Sequence, residues 1–382
     1  MNREIMIVTG EASGDLHGTN LVKSLQKIDP TLSFYGMGGP GLSNAGVEIL
    51  FDASKVAVVG LLEVFSHLKD ILKAQNVLRN ALQQRRPDLL IIIDLPDFNL
   101  KLARKAKKLG IPVFYYISPQ VWAWRSGRVK TIKKLIHTIG VILPFEKDFY
   151  HTHGVHAEYV GHPLLDSVKP TIDREQFCKV NELDTDRKLI GILPGSRVKE
   201  IKKLLPDFLQ AADLITRSTR NEVTFLLPKA PTISTELLME SGLDRHGSQI
   251  DVRIIEEDRY SMMGACDVAI AASGTVTLEL LLLDTPMVVA YKLSPVSYLV
   301  AKLVIDIPNF ALVNLIAQEE IVPELLQGEV KPQSIAELVN EQLYDPLTIQ
   351  KTQTSFIKVK EVLGESGASD KAARIAHSII SV

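Results

Sequence analysis

Cysteine and long apolar runs are scarce in this chain of 382 residues. The two cysteines, Cys178 and Cys266, show neither a pairing pattern nor metal-ligand spacing, so we expect a reducing compartment and no zinc site. The longest apolar stretches fall well short of the ~20 residues that span a bilayer. Residues 1–10 lead directly into a strand pattern, without the apolar region of a signal peptide. We therefore expect a cytoplasmic protein whose membrane contact is at most peripheral.

Two common phosphate-binding fingerprints are also missing. The glycine-rich loop after the first predicted strand carries Gly10, Gly14 and Gly18, a spacing that fits neither G-x-G-x-x-G nor a Gly-Lys-Ser/Thr loop. The same loop carries Glu11 and Asp15, which would repel a phosphate, so a neutral group such as sugar hydroxyls is the better ligand. A simple glycine turn before a capped helix explains this loop equally well.

The net charge of −2 conceals an asymmetry between the two parts of the chain. Residues 1–168 carry 20 Lys and Arg against 15 Asp and Glu, whereas the remainder carries 23 against 30. The basic excess lies between Lys69 and Lys134 and suits an anionic membrane surface, a phosphorylated substrate or nucleic acid. Composition does not choose among these partners.

Apolar runs of four to seven residues alternate with longer amphipathic stretches, which is the pattern of parallel βαβ units. We predict an α/β fold with two doubly wound domains, an N-terminal domain over 1–168 and a C-terminal domain over 169–340, followed by helices over 341–382. The predicted strands are 4–9, 33–36, 89–94, 112–117, 139–143, 188–193, 223–227, 252–255, 268–271 and 287–291. The predicted helices of the first domain are 14–28, 61–84, 99–109, 121–135 and 146–152.

Two segments of the second domain, 189–197 and 271–279, share one pattern: an apolar strand, a turn of small residues and the start of a helix. Such a turn directs unpaired backbone N–H groups and the positive end of the helix dipole at one point, where an anion binds. Arg197 adds a cation to the first segment, and Glu279 adds a carboxylate suited to a ribose or sugar hydroxyl. Together the segments indicate a site for a nucleotide-sugar diphosphate.

Asp94 follows an apolar strand pattern over 89–93 and so should lie at the carboxyl edge of a parallel sheet. Desolvation there would raise its pKa towards a value suited to taking a proton from a hydroxyl nucleophile. The alternative is that Asp94 or Asp97 only caps the helix that follows.

The segment over 56–73 is apolar on more than one helical face from Gly60 onward. It is either a surface that rests on lipid headgroups or accepts acyl chains, or a deeply buried helix. Trp122 and Trp124, beside Arg125, form either a packing cluster or an aromatic wall for a sugar or acyl chain. We assign no metal to His151, His153 and His156, because a solvated loop explains them better.

Seven blocks of the sequence, in order and over nearly the whole chain, resemble the lipid-A-disaccharide synthase family. They are 10–15, 93–99, 116–125, 143–146, 161–163, 193–197 and 273–275. The resemblance implies a GT-B glycosyltransferase, in which two Rossmann-like domains face a cleft and C-terminal helices pack back onto the N-terminal domain or exchange with a second subunit.

The family implies UDP-2,3-diacylglucosamine as donor and 2,3-diacylglucosamine 1-phosphate as acceptor, joined with inversion to a β-1,6 disaccharide 1-phosphate. It implies no cofactor, no divalent metal and no nucleic acid, and a peripheral position on the cytoplasmic face of the inner membrane. A UDP-N-acetylglucosamine 2-epimerase, which would work on soluble substrates, and a nucleotide-sugar sensor without turnover are the alternatives.

The resemblance also assigns roles to individual residues. It makes Asp94 the general base on the acceptor 6-hydroxyl, with Glu11 and Asp15 on the acceptor side. UDP would be bound by Gly195, Ser196, Arg197, Ser273, Gly274, Thr275, Glu279 and Asn314. Acyl chains, acceptor or membrane would contact Leu62, Phe65, Leu68, Trp122 and Arg125.

Overall fold

The computed structural model describes residues 3–56, 68–124, 126–219, 222–230, 233–246, 250–294, 298 and 309–381. The chain forms two compact units. The first comprises Met1–Asp166 with Glu365–Val382, and the second comprises Ser167–Gly364.

The first unit is built on a parallel sheet of seven strands in the order β3-β2-β1-β4-β5-β6-β7. Its central strands are apolar runs buried on both faces, as expected where helices cover a parallel sheet. The strand order reverses between β1 and β4, which makes the carboxyl ends of these two strands the switch point where such sheets bind ligands. The strands are β1 (Glu4–Val8), β2 (Ser33–Gly38), β3 (Glu48–Asp52), β4 (Leu89–Ile93), β5 (Val113–Tyr116), β6 (Thr138–Val141) and β7 (Ala157–Tyr159).

Helices cover both faces of this sheet. The helices up to the end of the first segment are α1 (Ala12–Ile28), α2 (Pro40–Asn44), α3 (Leu68–Arg85), α4 (Pro96–Lys108), α5 (Val121–Trp124), α6 (Val129–Leu135), α7 (Pro144–Thr152) and α8 (Leu164–Ser167). The last helix of the chain, α18 (Ala368–Ile380), packs against α1 and adds Ala372, Ala373 and Ala376 to the core. The Ser24 hydroxyl of α1 donates to Asp370 of α18 at 2.6 Å. The C-terminal helix thus completes the first unit.

The second unit has a parallel sheet of six strands in the order β10-β9-β8-β11-β12-β13, and its strand order reverses between β8 and β11. The switch point therefore lies where the two predicted anion-binding segments begin. The strands are β8 (Lys188–Leu193), β9 (Val223–Pro228), β10 (Val252–Ile255), β11 (Val268–Ala272), β12 (Met287–Tyr291) and β13 (Glu324–Leu326).

The longest described helix of the second unit, α10, buries an apolar stripe at helical spacing that includes Ile201, Leu204, Leu205, Phe208 and Leu209. Two of the helices after residue 330, α16 and α17, also belong to this unit. The helices are α9 (Arg174–Val180), α10 (Val198–Ser218), α11 (Thr235–Leu238), α12 (Asp244–His246), α13 (Arg259–Ala265), α14 (Thr275–Leu282), α15 (Leu312–Ala317), α16 (Pro332–Tyr344) and α17 (Pro346–Leu363).

Three short strands depart from the predicted pattern: β3, β7 and β13 are absent from the strands expected from the sequence. Each lies at a sheet edge, where three to five residues carry too little apolar pattern to be recognised. The predicted helix over 121–135 is interrupted by a 3-10 turn at Ser126–Arg128. No helix among the described residues has the length and apolarity needed to cross a bilayer.

Candidate active site

Asp94 lies at the switch point of the first sheet, one residue after β4. Both Asp94 and Leu95 have left-handed backbone, with φ of 50° and 42°, a conformation that costs a non-glycine residue ~1–3 kcal/mol. The Asp94 carbonyl accepts hydrogen bonds from the Asn99 amide at 2.7 Å and the Tyr115 hydroxyl at 2.9 Å, and these hold the strained turn. Leu95 is the N-cap of α4, so the alternative in which Asp94 caps this helix is wrong.

The Asp94 carboxylate is half-buried and receives no hydrogen bond from any described residue. Helix α1 passes beside it, because a Cβ on Gly14 would lie 3.5 Å from Asp94 Oδ2. Burial, and then the negative charge of Glu11, raise the pKa of Asp94 to about 6. The Asp94 carboxylate therefore has no hydrogen-bond partner among the described residues and a pKa close to neutrality. Both properties suit a general base.

The other two acidic residues of the glycine loop differ in their surroundings. Glu11 is exposed at the N-cap of α1 and makes no capping hydrogen bond. Asp15 accepts backbone N–H groups from Gly39 at 2.6 Å, Gly41 at 2.8 Å and Leu42 at 3.3 Å. Its carboxylate thus fixes the start of α2, and an acceptor contact of Asp15 stays a prediction.

The sequence analysis gave no role to two histidines of the first unit, His17 and His162, whose surroundings the structure describes. Burial lowers the pKa of His17, and burial together with the charge of His17 lowers the pKa of His162 to about 4. The Nδ1 atom of His162 accepts the Leu164 N–H at 3.2 Å. Both imidazoles are therefore neutral at pH 7. His162 belongs to one of the blocks of family resemblance, but its burial depends on the tertiary structure.

Trp122 lies after β5 and is hydrogen-bonded to the buried carboxyl group of Glu146. Its indole N–H donates to Glu146 Oε1 at 3.0 Å, and its ring meets Phe145 edge-on with centroids 4.9 Å apart. Glu146 also accepts the Leu143 N–H at 3.0 Å. Burial raises the pKa of Glu146 to about 7. Trp122 is therefore held in one orientation, which is compatible with both packing and ligand contact, whereas Arg125 lies outside the described residues.

The first anion-binding segment of the second unit follows β8. Gly195 has φ of 101°, and a Cβ there would lie 2.3 Å from Glu200 Oε2. Arg197 is the N-cap of α10, and its backbone N–H and guanidinium donate to Glu200 at 3.3 and 3.1 Å. The Arg197 side chain is largely exposed, so it can turn towards a ligand at the helix start. Helix dipole and guanidinium both favour an anion at this position.

The second anion-binding segment follows β11, the neighbour of β8. Gly274 and Thr275 are exposed, and a Cβ on Gly274 would meet no atom of a described residue within 4 Å, so on this side the backbone is open to a ligand. The Ser273 hydroxyl donates to the Phe310 carbonyl at 2.9 Å. Two helix starts, α10 and α14, therefore lie at the carboxyl ends of adjacent strands, as the pattern of the two segments predicts.

Glu279 is buried one turn into α14. Its Oε1 atom accepts a hydrogen bond from Arg259 at 2.5 Å and one from the Tyr260 hydroxyl at 3.3 Å. Burial raises the pKa of Glu279, and the Arg259 charge and the Tyr260 hydroxyl act in the opposite direction. Nothing in the spacing of the sequence indicated that Arg259 would reach this carboxylate.

Asn314 is fully buried, and its amide is fully occupied within the second unit. It donates to the Val322 carbonyl and to Glu324, and it accepts the N–H groups of Ile321 and Val322. Glu324 also accepts the N–H groups of residues 310 and 311. In this structure Asn314 and Glu324 position the loop that meets Ser273, and a contact of Asn314 with the nucleotide stays a prediction.

The predicted apolar surface is described only in part, because Leu62 and Phe65 lie outside the described residues. Leu68 and Leu72, one turn apart at the start of α3, have 45% and 55% of their surface exposed. Among the residues the structure describes, no group of three or more His, Cys, Asp or Glu side chains is arranged to hold a metal ion.

Comparison with known proteins matches nearly the whole chain to one family. A family model described as lipid-A-disaccharide synthetase covers residues 5–379. The lipid-A-disaccharide synthase of Geobacter sulfurreducens is 45% identical over 99% of this chain and 98% of its own length. The enzyme of the same name from Nitrosococcus oceani is 44% identical over 98% of this chain and 96% of its own.

Solved structures share the fold at much lower identity. UDP-GlcNAc 2-epimerase from Neisseria meningitidis, bound to UDP-GlcNAc, has a TM-score of 0.66 and 12% identity over 99% of this chain and 100% of its own. MurG from Acinetobacter baumannii has a TM-score of 0.60 and 14% identity, with full coverage of both chains. At these identities the likeness shows the GT-B fold alone.

Proposed function

The chain belongs to the lipid-A-disaccharide synthase family, and on that premise we propose that it transfers 2,3-diacylglucosamine from UDP to the 6-hydroxyl of 2,3-diacylglucosamine 1-phosphate. The products are the β-1,6 disaccharide 1-phosphate and UDP. The observation that carries the proposal is the Asp94 carboxylate, which has no hydrogen-bond partner among the described residues and a pKa of about 6, at the switch point of the first sheet.

Asp94 acts as the general base in this proposal. At pH 7 a carboxyl group with a pKa of about 6 is mostly ionised, yet it holds a proton better than an ordinary aspartate. It takes the proton of the acceptor 6-hydroxyl as the oxygen attacks the anomeric carbon of the donor. The bond from that carbon to the UDP oxygen breaks in the same step, so one displacement inverts the configuration.

The second unit stabilises the departing UDP. Negative charge develops on the diphosphate as the glycosidic bond breaks, and preorganised donors aimed at that charge lower the barrier. The N–H groups at the starts of α10 and α14 and the exposed guanidinium of Arg197 supply such donors. We assign the ribose hydroxyls to Glu279, which lies one turn farther along α14.

We also propose a peripheral contact with the anionic cytoplasmic face of the inner membrane. The exposed Leu68 and Leu72 of α3 share a helical stripe with Asn76, Asn80 and Gln83. The last three line a groove between α3 and α4 whose basic side chains are Arg79, Lys101, Arg104, Lys105 and Lys108. An apolar stripe that continues into a basic groove matches a bilayer surface, with leucines at the acyl boundary and cations at the phosphates.

The proposed reaction is tested by incubating the purified protein with both acylated substrates in EDTA and measuring disaccharide and UDP. The expected result is stoichiometric formation of both products. Formation of product only from UDP-N-acetylglucosamine and a water-soluble acceptor would overturn the assignment, as would epimerisation of UDP-N-acetylglucosamine without acyl acceptor.

A further inference from the structure

The two oxygens of the Glu279 carboxylate have different environments. Oε1 accepts two hydrogen bonds, from the Arg259 guanidinium at 2.5 Å and the Tyr260 hydroxyl at 3.3 Å. Within the described ranges Oε2 has no partner. A carboxylate oxygen offers about two acceptor positions, so Oε1 is fully used and Oε2 retains its capacity for a ligand.

Arg259 reaches Glu279 because of the topology of the second sheet. It is the first residue of α13, the helix that crosses from the edge strand β10 over β9 and β8 to β11. Glu279 lies on α14, directly after β11. The crossover therefore brings a cation from the loop after β10 to the switch point between β8 and β11.

The pair is built asymmetrically. The Glu279 side chain has 6% of its surface exposed, whereas the Arg259 side chain has 55%. The guanidinium also donates to the Tyr260 hydroxyl at 2.9 Å, and its carbon lies 4.8 Å from the centroid of that ring. The aromatic face and the hydroxyl thus hold the half-exposed guanidinium where it meets the buried acid.

We propose that Arg259 is a positioning residue for nucleotide recognition, which binds Oε1 of Glu279 so that Oε2 accepts the hydroxyls of a ribose cis-diol. The inference rests on the proposed function, since it takes Glu279 as the ribose ligand. Arg259 acts through Glu279 and needs no contact of its own with the ribose.

The physical reason is the cost of an isolated buried carboxylate. Burial raises the pKa of Glu279, and the charge of Arg259 is the larger of the two opposing effects. Without that charge, Glu279 would take up a proton more readily, and a protonated acid carries an O–H where the ribose needs an acceptor. Among the residues that the structure describes, the charged and titratable groups that act on Glu279 are Arg259 and Tyr260.

The experiment measures binding of UDP and of 2′,3′-dideoxy-UDP by calorimetry to the wild type, Arg259→Met, Arg259→Lys and Glu279→Gln. Methionine keeps an unbranched apolar stem against Tyr260, and thermal melting checks that each variant folds. Arg217→Met is the matched control, because it removes an exposed ion pair with Asp213 on α10 of the same unit.

The wild type should bind UDP more tightly than the dideoxy ligand. Arg259→Met should weaken UDP about tenfold, the scale of hydrogen bonds to a charged group, and leave the dideoxy affinity within about twofold. Arg259→Lys should recover part of the loss, since it keeps the charge. Because Glu279 protonates more readily without Arg259, the loss should grow as pH falls.

Equal weakening of both ligands by Arg259→Met, or no weakening of either, overturns the role of Arg259. The proposed function fails differently. If the wild type fails to bind UDP, or if Glu279→Gln retains full discrimination between the two ligands, the nucleotide site itself is misplaced whatever Arg259 does.

Discussion

The Trp122 indole donates a hydrogen bond of 3.0 Å to Glu146, a carboxylate with only 1% of its residue surface exposed. Both oxygens of Glu146 act as acceptors, one for Trp122 and one for the Leu143 N–H. A glutamine could not do both, because its NH₂ group would face one of two donors. The acid therefore fixes the orientation of an aromatic side chain to which the family resemblance assigns contact with acyl chains, acceptor or membrane.

Trp122 should report the ionisation of Glu146. Burial raises the pKa of Glu146 to about 7, so a charge beside the indole appears as pH rises through neutrality. In a Trp124→Phe background, we expect the emission of Trp122 to titrate with a midpoint near pH 7. The same background with Glu146→Gln should show no such transition, and a transition that persisted there would assign the signal to another group.

The same burial couples stability to pH. The pKa of Glu146 is higher in the folded state than its ordinary value, so the folded state binds the proton more tightly. Its contribution to stability is greatest below the ordinary glutamate pKa and is lost as pH rises through about 7. This falling component should be absent from Glu146→Gln in denaturant unfolding measured across that range.

Replacement of Asp94 by Asn should lower kcat/KM by about 10² to 10⁴, the usual contribution of a general base. The matched control is Asp97→Asn, three residues away, where an exposed carboxylate pairs with Arg128 at 2.5 Å. We expect the control to retain most of its activity in steady-state assays. Similar losses in both variants would point to damage of the β4-to-α4 turn.

The pH dependence of kcat/KM should show the electrostatic influence of Glu11 on the pKa of Asp94. Because the base must be ionised, kcat/KM should rise with pH through about 6 and then level off. The negative charge of Glu11 raises the pKa of Asp94, so Glu11→Gln should move the acid limb to lower pH. Asp97→Asn should leave the limb in place. If the acid limb did not move in Glu11→Gln, the charge of Glu11 would have no influence on the pKa of Asp94.

Arg197→Ala should reduce kcat about 10²- to 10³-fold in EDTA, as expected when a donor to a developing anion is removed. Arg217→Ala, which removes an exposed arginine from the other end of α10, is the control and should be near wild type. Single-turnover assays would show whether the loss lies in the chemical step. Full activity of Arg197→Ala would show that donors other than Arg197 stabilise the leaving UDP.

Leu68→Ser combined with Leu72→Ser should reduce cosedimentation with anionic liposomes several-fold and leave UDP affinity unchanged. Each leucine should stabilise membrane binding by ~25 cal/mol for every Å² of its apolar surface that is removed from water. Leu347→Ser is the matched control, since this leucine of the second unit is 76% exposed. Unchanged liposome binding by the double variant would exclude this stripe from membrane contact.

The central strands and their turns follow directly from the sequence. A run such as 89–93 is apolar throughout, and only burial on both faces of a parallel sheet accommodates it. The edge strands β3, β7 and β13 could not be predicted in this way, because their apolar pattern is too short. Whether such a segment pairs with a neighbouring strand depends on its tertiary surroundings. The position of Asp94 was predictable for the same reason, since it follows a recognisable strand.

The partners of the polar site residues were not predictable. Asp15 and Asn314 matched family positions. In the structure, however, Asp15 accepts hydrogen bonds from the backbone of residues 39–42, and Asn314 is hydrogen-bonded to residues 321–324. Sequence spacing shows which residues share a loop or a helix face. It does not show which N–H groups from a distant loop will saturate a carboxylate or an amide.

The order of apolar and polar residues thus determined two parallel α/β units and their switch-point loops, because these depend on local periodicity. The family was indicated by the resemblance of seven short sequence blocks. Tertiary structure alone decided that Glu146 binds Trp122 and that Arg259 pairs with Glu279, and it set the pKa of Asp94, whose rise the sequence predicted, at about 6. Desolvation and Coulomb interactions act through space over a few ångströms, between residues that the chain order separates.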